Sequence, residues 1–224
     1  MARLTDLAAW LRARFGRERA PNLFRDGRAE VRTLALALEA GDLPPDVAAD
    51  ALFLHRAFGL GERFAGLGVL TSHDGFDAHL TTGENLVLAR KLGWQDTRPF
   101  KWEGRVIGLT ATPPQHSWRA LQDALTGEFE GRDAVIEPRD ESREPHIRLA
   151  LMSAMKPELI DAVHRQGASI YITGQLRVPA QPRARELGLG VIALGHRRSE
   201  LWGLRQLARE IEDAFPEVRA SVCG

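Results

Sequence analysis

Apolar residues follow two patterns along this chain, helical spacing in some segments and short continuous runs in others. Apolar residues recur at helical spacing over residues 4–15, which predicts an amphipathic helix. Short apolar runs predict strands at residues 31–38, 105–110, 147–151, 168–173 and 190–194, with similar runs at 51–54 and 67–70. Further helical patterns cover residues 85–92, 117–125, 156–166, 180–187 and 197–215. The regular alternation of strands and helices in the last third favours an α/β fold with a largely parallel sheet.

Breakers and caps set the predicted boundaries. Ser117 is a candidate N-cap for the helix that follows it, and Gly93 ends the helix before it. Residues 42–45 interrupt the pattern with two prolines, and Pro45, the second of them, could open a short helix. Residues 131–146 are charged and marked by prolines, so we expect a loop or the edge of a lobe there.

Composition narrows the possible protein classes. The 224 residues include 30 basic and 30 acidic side chains, so the formal net charge is zero, which argues against a dedicated nucleic-acid binder. The single cysteine, Cys223, excludes an intrachain disulfide and a cysteine-rich zinc module. Charges interrupt the apolar residues at the N-terminus, and no apolar run is long enough for a transmembrane helix. We therefore expect a cytoplasmic protein with no membrane partner.

Three histidines stand at or just after apolar runs that resemble strands: His55, His73 and His196. Ligands in open α/β sheets gather beyond the carboxyl ends of the strands, so these imidazoles could converge in one cleft. Two of them have a carboxylate four residues later, Asp77 after His73 and Glu200 after His196. Residues at this spacing share a helix face, and imidazole with carboxylate suits zinc, manganese or iron. A histidine that is only hydrogen-bonded and a solvated His–Glu pair are the alternative interpretations.

Several of these segments together resemble the Nif-three-like proteins, also called GTP cyclohydrolase 1 type 2 homologs. Residues 195–200 match the family's Gly-His-x-x-Ser-Glu signature, and Thr173-Gly174 resembles its threonine-glycine strand end. Residues 73–77 resemble the family's His-Thr-Asn-x-Asp block, and residues 83–93 resemble the glycine-bounded helix that follows it. The likeness extends over most of the chain and is thinnest in residues 1–50 and 115–145.

The resemblance implies a fold, an assembly and a metal site. It implies two α/β lobes with mostly parallel mixed sheets, for which we predict residues 1–98 with 186–224 as the metal-site lobe and 99–185 as an inserted lobe. It implies a hexamer built as a trimer of dimers. It also implies one or two divalent ions, zinc, manganese or iron. The implied metal ligands are His55, His73, Asp77, His196 and Glu200.

One position departs from the family's pattern. The family carries two adjacent histidines after the early strand, and here that pair is His55-Arg56. A guanidinium has no lone pair to offer a metal and would repel a nearby cation, so the chain could bind one ion rather than two, or bind weakly. Arg56 could also replace one ion's charge and pair with Glu200.

Two functional hypotheses remain open at this stage. The first is a metal-dependent hydrolase or cyclohydrolase that acts on a phosphorylated or nucleotide-like small molecule. In it His73 or Asp77 orients or deprotonates a water, and Arg56, Arg197 and Arg198 receive an anionic group. The second is a non-catalytic metal-binding or regulatory assembly protein with a degenerate site.

Overall fold

The computed structural model describes residues 2–16, 22–139 and 147–224. In those ranges the strands, in chain order, are β1 (Ala2–Arg3), β2 (Leu23–Arg25), β3 (Glu30–Val31), β4 (Thr33–Glu39), β5 (Ala51–Arg56), β6 (Gly68–Thr71), β7 (Gln95–Trp102), β8 (Arg105–Thr112), β9 (Ala134–Ile136), β10 (Leu149–Met152), β11 (Ile170–Thr173), β12 (Gly190–Ala193) and β13 (Arg219–Val222). The helices are α1 (Leu4–Phe15), α2 (Asp74–Leu80), α3 (Leu86–Lys91), α4 (Trp118–Glu128), α5 (Pro157–Arg165), α6 (Gln181–Leu187) and α7 (His196–Ala214). Short 3-10 turns lie at Ala40–Asp42 and Val178–Ala180.

The chain divides into two compact units. The first comprises Met1–Phe76 and Leu201–Gly224, and the second comprises Asp77–Glu200. The sequence-based division placed its boundaries after residues 98 and 185. In the structure β7 begins at Gln95 and pairs with β8, so it belongs to the sheet of the second unit.

The first unit contains a five-stranded sheet in the order β13-β4-β5-β6-β2. Strands β13, β4, β5 and β6 run parallel, and β2 is antiparallel to β6. The β5 sequence is apolar at almost every position because both of its faces are covered. Leu52 and Leu54 pack with Ala35 and Ala37 in one apolar cluster, whereas the Phe53 ring lies against Phe76.

The second unit contains a six-stranded mixed sheet in the order β7-β8-β10-β11-β12-β9. Its middle strands β10, β11 and β12 are parallel, and the strands on either side are antiparallel. Helix α5 buries Leu159, Ile160 and Val163 in the apolar cluster that also holds Tyr171 of β11. The predicted α/β class with mixed sheets is therefore confirmed.

Most predicted elements are present, with two exceptions. Helix α1 has the predicted bounds, and Ser117 caps α4 by accepting a hydrogen bond from the Ala120 N–H at 3.2 Å. The short helix expected at Pro45 is wrong: the chain makes a single turn there, in which the Val47 N–H donates to the Pro44 carbonyl at 3.2 Å, and it does not continue as a helix. Strand β9 lies inside the segment predicted as a loop, and residues 140–146 of that segment are outside the described residues. Among the described helices, none combines the length and apolar character needed to cross a membrane.

The Asp50 carboxylate fastens the start of β5 to the start of β4. Its Oδ2 accepts hydrogen bonds from the backbone N–H groups of Arg32 and Thr33 and from the Thr33 hydroxyl, each at 2.9 Å. The Arg32 N–H, the Thr33 donors and the nearby Arg28 guanidinium favour the charged carboxylate, so they hold the pKa of Asp50 below its usual value.

We expect Asp50→Asn to lower the free energy of unfolding at pH 7 by about 1–2 kcal/mol. Because the folded pKa of Asp50 is lowered, the wild-type advantage is present above the unfolded value of about 3.9 and disappears as the pH falls through the folded pKa. Urea unfolding at pH 7 and near pH 3 measures the loss of stability and its dependence on pH. Asp46→Asn, at an exposed position in the preceding loop, is the control and should change neither. A difference that stays constant down to pH 3 would contradict this role.

Candidate metal centre

Two histidines and an aspartate meet where β5 and β6 end. The ligand atoms of His55, His73 and Asp77 all lie within 4.8 Å of one another, close enough for the group to hold a metal ion. His55 is the second-to-last residue of β5. His73 follows β6 by two residues and leads directly into α2, which carries Asp77. Strands β5 and β6 are parallel neighbours, so their carboxyl ends lie at the same edge of the sheet.

His55 is held rigidly and in one tautomer. The residue is fully buried, and its Nδ1 lies 3.1 Å from the Ser72 carbonyl oxygen. A carbonyl can only accept, so Nδ1 carries the proton and Nε2 keeps its lone pair. Protein metal ligands commonly have this arrangement, in which a carbonyl orients the imidazole that binds through its other nitrogen. The Phe76 ring, 4.7 Å from the imidazole, fixes it from the side.

His73 and Asp77 form the more open part of this group. The His73 ring stacks on the His55 ring with a centroid separation of 4.7 Å and an interplanar angle of 1°. Its side chain is 50% exposed, and its Nδ1 lies 3.3 Å from Asp74 Oδ1. The Asp77 backbone is anchored by the Thr81 hydroxyl, which donates to the Asp77 carbonyl at 2.7 Å. The group thus combines one buried, fixed ligand with two ligands that can adjust.

This donor set suits a first-row divalent cation. Zinc binds imidazole nitrogen and carboxylate oxygen at about 2.0–2.2 Å, which puts tetrahedral donors roughly 3.4 Å apart. The separations within 4.8 Å reach that arrangement with small side-chain adjustments of His73 and Asp77. The same ligands serve manganese and iron.

A second pair of candidate ligands lies at the start of α7. His196 Nε2 is 3.2 Å from Glu200 Oε1, as expected for residues one helical turn apart. The His196 side chain is 67% exposed, whereas that of Glu200 is 2% exposed. A buried carboxylate is stabilised only by a compensating charge or hydrogen bonds, and His196 lies at the correct distance to supply one of these.

The position immediately before His196, residue 195, requires glycine. Its φ is +98°, a conformation that side chains disfavour, and an added Cβ would lie 2.7 Å from Asp133 Oδ1. The glycine also donates its N–H to the Gly174 carbonyl at 2.9 Å, which links the end of β12 to the end of β11. This turn sets the position from which α7 presents His196 and Glu200.

A cavity of about 440 Å³ in the second unit collects three of the predicted ligands, Asp77, His196 and Glu200. Thr173 and Gly174 also line it. Asp77 therefore belongs both to the group with His55 and His73 and to this cavity.

Residues 65–223 match the family described as Duf34/NIF3 (NGG1p interacting factor 3). The chain belongs to this family. The matched region includes four of the five predicted ligands, from His73 to Glu200, and excludes His55.

Two curated proteins are similar to much of the chain. A Deinococcus radiodurans protein named GTP cyclohydrolase 1 type 2 homolog is 31% identical over 159 residues, which cover 67% of this chain and 57% of the relative. A Pseudomonas aeruginosa protein of the same name is 27% identical over 216 residues, which cover 85% of this chain and 82% of the relative. The chain therefore matches little more than half the length of the first relative.

Solved structures share the fold. Reduced HcgD from Methanocaldococcus jannaschii superimposes with a TM-score of 0.74 at 17% identity, covering 99% of this chain and 97% of that one. A Bacillus cereus protein related to NIF3 gives a TM-score of 0.67 at 11% identity, covering 99% and 96%.

Arg56, which follows His55 directly, faces away from it. Successive residues of a strand point to opposite faces, so Arg56 lies on the Leu54 side of the sheet. Its Nε is 2.9 Å from Glu39 Oε1, its direct neighbour on β4. The pairing predicted for Arg56 with Glu200 stays a prediction.

Arg197 and Arg198 do not line the cavity. Arg198 donates to the Leu194 carbonyl at 3.0 Å and lies 3.4 Å from Asp133 Oδ1, so it supports the turn before α7. Arg197 is exposed. The cavity is instead lined by two basic residues that were not among the predicted site residues, Lys156 and Arg177. The available signal was their position, because each follows a buried strand by a few residues, as His196 does.

Proposed function

We propose that this chain is a metal-dependent hydrolase or cyclohydrolase that acts on a phosphorylated or nucleotide-like small molecule. His55, His73 and Asp77 would hold a zinc, manganese or iron ion, with His196 and Glu200 as further ligands for the same or a second ion. The proximity of the His55, His73 and Asp77 ligand atoms carries this proposal. The names of the D. radiodurans and P. aeruginosa relatives, GTP cyclohydrolase 1 type 2 homolog, agree with it.

Each residue of the proposed site would have its own chemical role. A divalent ion held by these residues would polarise a substrate oxygen and lower the pKa of a coordinated water. His55, oriented by the Ser72 carbonyl, keeps its Nε2 lone pair directed as a ligand. Asp77 keeps a second carboxylate oxygen when the first one binds an ion, and that oxygen would accept the proton that a water loses when it attacks the substrate. The half-exposed His73 would take this role only in a site where it does not bind the ion.

The hydroxyls of Thr82 and Ser199 line the cavity that Asp77 and Glu200 also line, and they would hydrogen-bond a polar ligand there. Ser199 would do so as an acceptor, because its hydroxyl donates to the His196 carbonyl at 2.8 Å.

The test combines metal content with turnover. We expect the purified protein to contain divalent metal by elemental analysis and to hydrolyse at least one member of a panel of phosphoesters, nucleotides and amides. Glu200→Gln, which keeps the side-chain shape but removes its charge, should lower both the metal content and the rate by at least about tenfold. Full turnover after removal of the metal by a chelator would overturn the proposal.

The presence of Arg56 beside His55 supports a second candidate function, that of a non-catalytic metal-binding or regulatory protein. The resemblance places a second metal-binding histidine where this chain has Arg56, and Arg56 is paired with Glu39. A non-catalytic metal-binding or regulatory protein would need only a reduced site, in an assembly that we propose to be a hexamer of three dimers. Bound metal, no turnover on the panel, and a hexamer by light scattering would favour this candidate.

A further inference from the structure

The cavity of the second unit lies at the carboxyl ends of three parallel strands. Strands β10, β11 and β12 are neighbours, and the segment after each one supplies a residue that lines the cavity. Lys156 follows Met152 of β10, Arg177 follows Thr173 of β11, and His196 follows Ala193 of β12. This edge is where open α/β sheets bind their ligands, so two basic side chains stand in the usual ligand position.

A hydrogen bond joins the two segments that carry the basic residues. The Arg177 N–H donates to the sulfur of Met155 at 3.4 Å, and Met155 immediately precedes Lys156. Met155 is buried, with 4% of its surface exposed, so it anchors both segments to the apolar cluster beneath them. The charged ends of Lys156 and Arg177 remain exposed at the cavity.

In the described part of the chain, no carboxylate lies at ion-pair distance from Lys156 or Arg177. Arg183, a few residues further on, provides the contrast, because it pairs with Asp161 at 2.6 Å and Glu186 at 2.7 Å. Lys156 and Arg177 therefore give the cavity two cationic groups that are available to an anion.

We propose that Lys156 and Arg177 form a receptor for the phosphate group of a phosphate monoester. Two cations match a dianion, and the guanidinium can bind two of its oxygens at once. A cavity of about 440 Å³ is large enough for a small molecule of mononucleotide size. Asp77 and Glu200 line the same cavity and would repel an anion, so phosphate binding should be strongest when a metal ion neutralises them. In this respect the receptor rests on the proposed function.

The test measures the binding of inorganic phosphate, guanosine 5′-monophosphate and guanosine by calorimetry, with and without added Mn²⁺. We expect both phosphates to bind more tightly than guanosine, and to bind more tightly with the ion present. Lys156→Ala and Arg177→Ala should each weaken phosphate binding by about tenfold, and Arg177→Lys should weaken it less because the charge is kept. Tighter binding of the nucleotide than of inorganic phosphate would assign the site to a phosphomonoester rather than to free phosphate.

Lys101→Ala and Arg105→Ala are the matched controls, because both residues are exposed and neither lines the cavity. They should leave phosphate affinity unchanged. Metal content is measured on every variant, and we expect the wild-type value throughout. Wild-type phosphate affinity in the Lys156→Ala, Arg177→Ala double variant, or no phosphate binding to the wild type, would overturn the receptor. Absence of metal from the wild type would instead contradict the proposed function and leave the metal-free phosphate titration as the test of the receptor.

Discussion

Asp77→Asn should weaken metal binding by at least about 100-fold while leaving the protein folded. Asparagine has the shape of aspartate, so α2 and its Thr81 hydrogen bond to the carbonyl of residue 77 should be preserved. The change removes the only carboxylate in the group with His55 and His73. An amide oxygen is a much poorer zinc ligand than a carboxylate, because it is neutral. Competition with a chromophoric chelator, together with elemental analysis after dialysis, measures the loss.

Asp123→Asn is the control for this experiment. Asp123 lies on an exposed face of α4 and takes no part in the metal-binding group, so the same chemical change there should leave metal affinity at the wild-type value. A metal-loaded Asp77→Asn protein with wild-type affinity would show that the ion is held elsewhere. The clustering of these three side chains would then have to be explained by hydrogen bonding alone.

Gly108→Ala should lower the free energy of unfolding by about 3 kcal/mol. Gly108 lies in β8 beside β10, and an added Cβ would be 2.2 Å from the Leu151 carbonyl oxygen and 2.6 Å from the Met152 sulfur. The sulfur can move, but the carbonyl belongs to the sheet backbone and can shift only if the β8–β10 pairing is disturbed. Urea unfolding followed by circular dichroism gives the change in stability.

Gly127→Ala, in the same unit, should have the opposite effect and raise the free energy of unfolding. Gly127 lies in α4, and an added Cβ would meet nothing within 4 Å. Because alanine favours a helix more than glycine does, this variant should gain about 0.5 kcal/mol or more. Equal effects of the two substitutions would show that packing against the Leu151 carbonyl does not determine the requirement for glycine at position 108.

The sequence predicted individual elements better than their neighbours in space. The periodicity of residues 4–15 and the side chain of Ser117 act over a few residues, and α1 and the α4 cap follow from them directly. Strand β9 was missed because its three residues, 134–136, lie among charges and prolines and pair only with β12, far along the chain. Local pattern cannot supply a partner at that distance.

The candidate site shows the same limit. Placing histidines at strand ends led to His55 and His73, because each of those strands is a clear apolar run. The surroundings of Arg56 depend on the register of β5 against β4, which sets Glu39 beside it. Similarly, Lys156 and Arg177 gain meaning only when β10 and β11 are known to be parallel neighbours. The register of β5 against β4 and the pairing of β10 with β11 are both long-range features, which a short sequence motif does not predict.

The discontinuous first unit imposes an order on biosynthesis. Its sheet includes β13, whose residues Arg219–Val222 pair with Thr33–Leu36 of β4, so this unit needs both the early and the last part of the chain. The second unit is one continuous segment and has all its strands once residue 200 has been made. On the ribosome, the inserted unit should therefore mature first. The apolar face of the earlier nascent segment must wait, in the meantime, for the last strand to emerge.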